Sequence, residues 1–81
     1  MKKKIFFVTG CFGFIGSHWI KYLLEKNHHV IGMDIKDPTF DIKRYKNFEF
    51  YKKSIFQYKI VERLIKKTDY VFHYAGIASP D

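Results

Sequence analysis

The chain has 81 residues, 47% of them hydrophobic and 20% aromatic, a composition that supplies one small core, excludes a disordered chain and leaves no room for a second domain. Its single cysteine, Cys11, excludes an internal disulfide framework and points to a reducing cytoplasm, and no apolar run approaches the ~20 residues of a membrane span. The formal net charge of +7 is dispersed over Lys2-Lys3-Lys4, Lys52-Lys53, Lys66-Lys67 and single residues, outside any nucleic-acid motif, so it reads as solvated surface with a mild attraction for anionic nucleotides.

The first predicted element is the strand Lys4-Ile5-Phe6-Phe7-Val8-Thr9. It is short, apolar and rich in β-formers, as a strand buried on both faces should be. Met1-Lys2-Lys3-Lys4 ahead of it and Cys11 behind it imitate an export signal with a lipid-acceptor cysteine. The apolar stretch is shorter than the roughly 7–15 residues such a signal requires, and the strand reading also accounts for Gly13, Gly16 and Asp34. Gly10, Gly13 and Gly16 are each separated by two residues. A turn this tight needs positive φ or close backbone approach, and glycine supplies both. From Ile15 the apolar residues Ile15, Trp19, Ile20, Leu23 and Leu24 recur at helical spacing and predict a helix over 13–26. Its unpaired first-turn N–H groups and positive dipole end face the glycine turn, where a pyrophosphate fits. Asn27 is placed where a left-handed residue ends a helix.

His28 and His29 lead into a second strand, His29-Val30-Ile31-Gly32-Met33-Asp34. With no cysteine or carboxylate at ligand spacing, the two histidines predict no metal site. Asp34 lies 34 − 10 = 24 residues past Gly10, at the carboxyl edge of its strand, where a carboxylate accepts hydrogen bonds from a ribose 2′-hydroxyl. The dinucleotide fingerprint is glycine-x-glycine-x-x-glycine with an acidic residue ~20 further on. The triplet here is spaced differently, but strand, triplet, amphipathic helix, strand and terminal Asp stand in the order the fingerprint demands.

Residues 36–47 contain Asp37-Pro38 and mixed charge and predict a loop with at most one helical turn. Asn47-Phe48-Glu49-Phe50-Tyr51-Lys52 predicts a third strand. Ser54-Ile55-Phe56-Gln57 has the form of a capping box with Ser54 at the N-cap. Phe56, Ile60, Val61, Leu64 and Ile65 then give the second helix a buried stripe. Asp69-Tyr70-Val71-Phe72-His73-Tyr74-Ala75-Gly76 predicts a fourth strand and its exit turn, with Val71, Phe72 and Ala75 in the core. His73 has no identifiable acid or base partner and reads as structural. The sum is an α/β protein, β-α-β-β-α-β, in which right-handed crossovers place the parallel strands in the order 3-2-1-4. The outer edge of the fourth strand is then left unpaired.

Thr9-Gly10-x-x-Gly13-Phe14-Ile15-Gly16-Ser17-His18 resembles the opening of the extended short-chain dehydrogenase/reductases, the NAD-dependent sugar-nucleotide epimerases and dehydratases. The resemblance spans essentially the whole chain but only about the first quarter of such an enzyme. It implies the N-terminal part of a Rossmann-type doubly wound sheet, a single partial NAD(P)-binding domain over 1–81, with the catalytic and substrate-binding parts beyond it. The glycines Gly10, Gly13 and Gly16 would shape the turn, the backbone of Phe14 and Ile15 would meet the pyrophosphate, and Asp34 would hold the adenosine ribose. Asp34 would repel a 2′-phosphate, which favours NAD over NADP; Lys36, otherwise a solvated loop residue, is the cation that would approach such a phosphate. Ser54 stands where the family usually has an aspartate that recognises the adenine amino group, so it reads either as an adenine contact or as a cap. Ala75 and Gly76 fall in a segment resembling the family's His-x-Ala-Ala/Gly, which passes beneath the cofactor. Ile77-Ala78-Ser79-Pro80 resembles a stretch of the UDP-glucuronate decarboxylases but is too short to assign a substrate.

The family's chemistry rests on a tyrosine, a lysine four residues later and a nearby Ser or Thr, all on elements after the fourth strand. Tyr22 and Lys26 have that spacing but fall on the first helix, behind the turn, and read as surface residues. No catalytic residue and no metal ligand is expected, and the chain alone is expected to be inactive. A nucleotide sugar would be a partner only of a full-length enzyme. A stand-alone nucleotide-binding half-domain and a non-functional remnant of a truncated gene are the alternative readings.

Overall fold

A computed structural model of the chain describes residues 3–75. Its elements are β1 (Ile5–Thr9), α1 (Phe14–Glu25), β2 (His29–Asp34), a 3₁₀ turn (Ile42–Arg44), β3 (Phe48–Lys52), α2 (Tyr58–Lys66) and β4 (Tyr70–His73). All strand pairs are parallel, and the sheet order is β3-β2-β1-β4. This is the expected order. The 3₁₀ turn supplies the single helical turn expected between 36 and 47.

The central pair β1–β2 is apolar on both faces because each face has a helix to cover it. Phe6, Val8 and Val30 pack with Ile20, Leu23 and Leu24 of α1. Phe7, Ile31 and Met33 pack with Leu64 of α2. Each such side chain contributes about 1.5–3 kcal/mol on burial. α1 ends as its sequence predicts. Asn27 adopts φ +66°, Asn27 N donates to Leu24 O (3.0 Å) and His28 N to Leu23 O (3.1 Å), so the last carbonyls are satisfied by a Schellman arrangement. His28 is buried, and its Nδ1 accepts Lys4 N–H at 3.1 Å, which ties the start of β2 to the start of β1.

Four sequence expectations are corrected. The buried stripe of α1 runs through Gly16, Ile20, Leu23 and Leu24, whereas Ile15 is 51% exposed and Trp19 39% exposed. Gly16 sits against the Gly10 carbonyl, and that close approach fixes the rotation of the helix. Ile15 and Trp19 are thereby turned to its flank, where Trp19 meets the edge of Phe72. The second correction concerns Ser54, which is not the N-cap of α2. Gln57 holds that position, and Ser54 Oγ instead accepts Phe56 N–H (3.1 Å) within a turn closed by Gln57 N–H donating to Ser54 O. Thirdly, Phe56 belongs to that turn and is exposed, and Ile65 is largely exposed; Leu64, with Ile60 and Val61 half-buried beside it, makes the apolar contact of α2. Lastly, β4 is not central core. Tyr70 and Val71 are exposed, and Phe72 and Ala75 are only half-buried, because the outer side of β4 has no neighbouring strand among the described residues.

Candidate functional site

The carboxyl ends of β1, β2 and β4 meet at the glycine turn. Gly10 takes φ +65°, a conformation costly for any residue with a side chain. A Cβ there would also strike the backbone of Tyr74 and Ala75, with Ala75 N only 2.8 Å away. Gly10 N donates to Met33 O (2.8 Å) and Gly13 N to Gly10 O (3.0 Å), so the turn is pinned to β2 and closed on itself. A Cβ at Gly16 would collide with Gly10 O. Gly13 differs. It has extended backbone (φ −77°, ψ 175°), and among the described residues a Cβ on it would touch only Gly10 O, at 3.3 Å.

Gly13 is the N-cap of α1, and no side chain caps that end. Ser17 N–H donates to Gly13 O (2.9 Å). The N–H groups of Phe14, Ile15 and Gly16 precede the first intrahelical bond, and none has a backbone acceptor among the described residues. Three unpaired donors at the positive end of a twelve-residue helix form a place where an anion is stabilised. Phe14 is exposed and Ile15 half-exposed.

Asp34 closes the opposite wall. The residue is 8% exposed, yet its carboxylate is satisfied: Oδ2 accepts Phe12 N–H (2.9 Å) and Oδ1 accepts Lys36 N–H (3.0 Å). Each oxygen keeps a further lone pair. Asp34 therefore holds the glycine turn and the loop after β2 while retaining capacity for a hydroxyl donor. Cys11, between them, is fully buried. Burial, and then the charge of Asp34, push its thiol far above the usual range against a smaller opposing backbone hydrogen bond. Cys11 is thus a neutral apolar filler, not a nucleophile or an acylation site.

The remaining expected site residues lie around this turn or outside it. Ser54 follows the carboxyl end of β3, and its Oγ keeps a second lone pair beside the one given to Phe56. Ala75 N–H donates to Thr9 Oγ1 at 3.1 Å, which sets Ala75 against Gly10. Gly76 and the stretch Ile77-Ala78-Ser79-Pro80 lie outside the described residues. Lys36 is exposed, and Lys52 Nζ pairs with Asp37 Oδ1 at 2.7 Å across the loop. Tyr22 and Lys26 are on the surface of α1, the ammonium 5.6 Å from the ring centroid. Among the described residues no group of three His, Cys, Asp or Glu side chains is arranged to hold a metal ion, and no helix is long and apolar enough to cross a membrane. The sequence reading missed the turn-holding bond of Asp34 and the hydroxyl of Thr9, because both act through backbone amides of residues far along the chain. It also missed Gly32, which leaves space for Cys11 Sγ and the Phe48 ring.

The sequence model of the NAD dependent epimerase/dehydratase family matches residues 6–81. An uncharacterized UDP-glucose epimerase of Bacillus subtilis is 38% identical over 81 aligned residues, which cover 86% of this chain and 25% of that protein. Among solved structures, the Bordetella bronchiseptica enzyme WbmH in complex with NAD+ is 34% identical with a TM-score of 0.78, over 99% of this chain and 28% of that one. The UDP-glucose 4-epimerase of Thermotoga maritima, solved with UDP-glucose, is 36% identical with a TM-score of 0.74, over 93% and 25%. These likenesses establish the Rossmann-like fold. The chain spans no more than about a quarter of the length of the curated relatives it matches.

Proposed function

This chain belongs to the NAD dependent epimerase/dehydratase family, and on that premise we propose that it is the NAD-binding N-terminal segment of a sugar-nucleotide epimerase or dehydratase. In this reading the N–H groups of Phe14 and Ile15 hold the pyrophosphate and Asp34 takes the adenosine ribose. Gly10 and Gly16 shape the turn, Ala75 and Gly76 border the dinucleotide, and Ser54 accepts a hydrogen bond from adenine. The cofactor, when bound, supplies the hydride acceptor for oxidation of a sugar carbon. This chain's residues bind and orient it; the acid–base groups for that oxidation belong to later elements of a longer enzyme.

The observation that carries the reading is Gly13. Packing inside the protein demands glycine at positions 10 and 16, but at position 13 a Cβ would meet one atom among the described residues, at 3.3 Å, a contact that needs a shift of only a few tenths of an ångström. The next three N–H groups, those of Phe14, Ile15 and Gly16, have no backbone acceptor among the described residues. A dinucleotide phosphate held by those amides accounts for a glycine beside them. NAD is favoured over NADP because the nearly buried carboxylate of Asp34 would repel a 2′-phosphate.

Isothermal titration of the chain with NAD tests this reading. We expect saturable binding, with NADP weaker. Gly13→Val should remove NAD binding while the far-ultraviolet circular dichroism stays unchanged. Near-parental NAD affinity in a folded Gly13→Val protein would sink the assignment.

A further inference from the structure

Thr9 is 2% exposed, and three groups converge on its hydroxyl. Tyr74 N–H reaches Oγ1 at 3.0 Å while also reaching the Thr9 carbonyl at 3.1 Å. Ala75 N–H reaches Oγ1 at 3.1 Å. His73 Nδ1 lies 2.7 Å away. A hydroxyl oxygen has two lone pairs and one proton. The two amides can only donate, so they occupy the lone pairs, and the hydroxyl proton has His73 Nδ1 as its acceptor.

We propose that Thr9 and His73 form a proton-sensitive clasp that holds the exit turn of β4 against the glycine turn, closed while His73 is the neutral Nε2–H tautomer and released when the ring is protonated. Protonation would place a third hydrogen on Thr9 Oγ1 and leave the hydroxyl proton without an acceptor. Moving one ring proton therefore disturbs several contacts of the node. His73 is exposed, so solvent protons reach it. Tyr74 and Ala75 are the residues against which Gly10 is packed, and loosening them loosens one wall of the glycine turn. His73 acts here as a positioning residue.

β1, the ladder neighbour of His73, carries no titratable side chain from Ile5 to Thr9. On the β4 side, Asp69 Oδ2 is held by Ile5 N–H at 2.7 Å, and Tyr70 and Tyr74 are its nearest titratable neighbours in sequence. α2, on the same face of the sheet, carries Lys59, Glu62, Arg63 and Lys66, and the ion pairs among the described residues join other partners.

The test uses the ¹⁵N-labelled chain without ligand. Two-bond ¹H–¹⁵N spectra recorded above the imidazole titration should show His73 as the Nε2–H tautomer. As His73 protonates, amide protection at Ala75 should fall about fivefold to tenfold, the loss of one net hydrogen bond, while Tyr74, which keeps the Thr9 carbonyl as an acceptor, loses less and Phe7 and Val8 keep theirs. Thr9→Ser should preserve this pH response, and Thr9→Val should abolish protection at Ala75 at every pH. An Nδ1–H tautomer, or protection at Ala75 that ignores the state of His73, would overturn the proposal. Both of those readouts come from the unaltered chain, so they decide the matter even where Thr9→Val does not fold.

Discussion

Phe7 and Val71 are neighbours across the β1–β4 ladder, on the same face of the sheet, and both are strong strand formers. Phe7 is fully buried and Val71 is 43% exposed. The difference lies in their surroundings. Phe7 has β2 on one side, β4 on the other and Leu64 of α2 in its cluster, whereas Val71 has β1 on one side and no strand among the described residues on the other. The pair shows that burial here follows position in the sheet. The β1–β2 centre is complete within these residues, and the β4 margin is not.

Truncation at the two positions should separate them most sharply. Phe7→Ala removes a ring closed in on every side and should cost about 3–5 kcal/mol in chemical denaturation. Val71→Ala should cost well under 1 kcal/mol, since surface substitutions stay within about 0.5 kcal/mol. Equal losses would show that the β4 margin is buried in solution, by self-association or by the residues after 75, and sedimentation would distinguish these.

The glycine turn can be divided in the same way. Gly16→Ala forces a methyl group onto the Gly10 carbonyl oxygen and the Cys11 Cα, backbone atoms that cannot yield without moving the turn. We expect a loss of about 3 kcal/mol, seen as a lower denaturation midpoint. Gly13→Ala asks only that one contact at 3.3 Å relax, and it should cost under about 1 kcal/mol. A large stability loss at Gly13 would make it a packing glycine like Gly16, needed by the fold and not by a ligand.

These contrasts also mark what the sequence made legible. The strands and their order followed from short apolar runs and glycine punctuation, because a parallel sheet covered on both faces leaves a strong local signal. Asn27 and Asp34 were legible for similar reasons, each terminating an element in a recognisable way. The rotation of α1 was not. Helical spacing allows Ile15 or Gly16 to face the sheet, and the backbone of Gly10, six residues earlier, decides. Ser54 misled because a hydroxyl can close a turn one step ahead of a helix as readily as it can cap the helix. The exposure of β4 depends on which strands flank it, and no pattern within Tyr70–His73 encodes that. Thr9 read only as the last residue of β1, since its partners at 73–75 follow more than sixty residues later.

The smallest contrast concerns two polar contacts, one inside the turn and one on the rim of the sheet. Asp34 is buried and its bonds are to backbone amides. Glu49 on β3 accepts from His29 Nε2 at 2.9 Å and from Tyr51 Oη at 3.3 Å, with both members of the His29–Glu49 pair at least about a third exposed. Burial alone would raise the Glu49 carboxyl, but the hydrogen bond from His29, the charges of Lys67 and His29 and the bond from Tyr51 outweigh it and hold it below its ordinary value. A carboxylate lowered by folding contributes its stability in full above the unfolded value and loses it as pH falls through the lowered, folded one. Solvent screening keeps that contribution under about 1 kcal/mol. Glu49→Gln should therefore flatten the part of the acid limb that lies in this window, in denaturation midpoints recorded across it, and shift the neutral-pH midpoint only slightly. An unchanged acid limb in Glu49→Gln would place the acid sensitivity of this chain in other groups, and the His29–Glu49 pair would then be a surface contact that adds nothing measurable to stability.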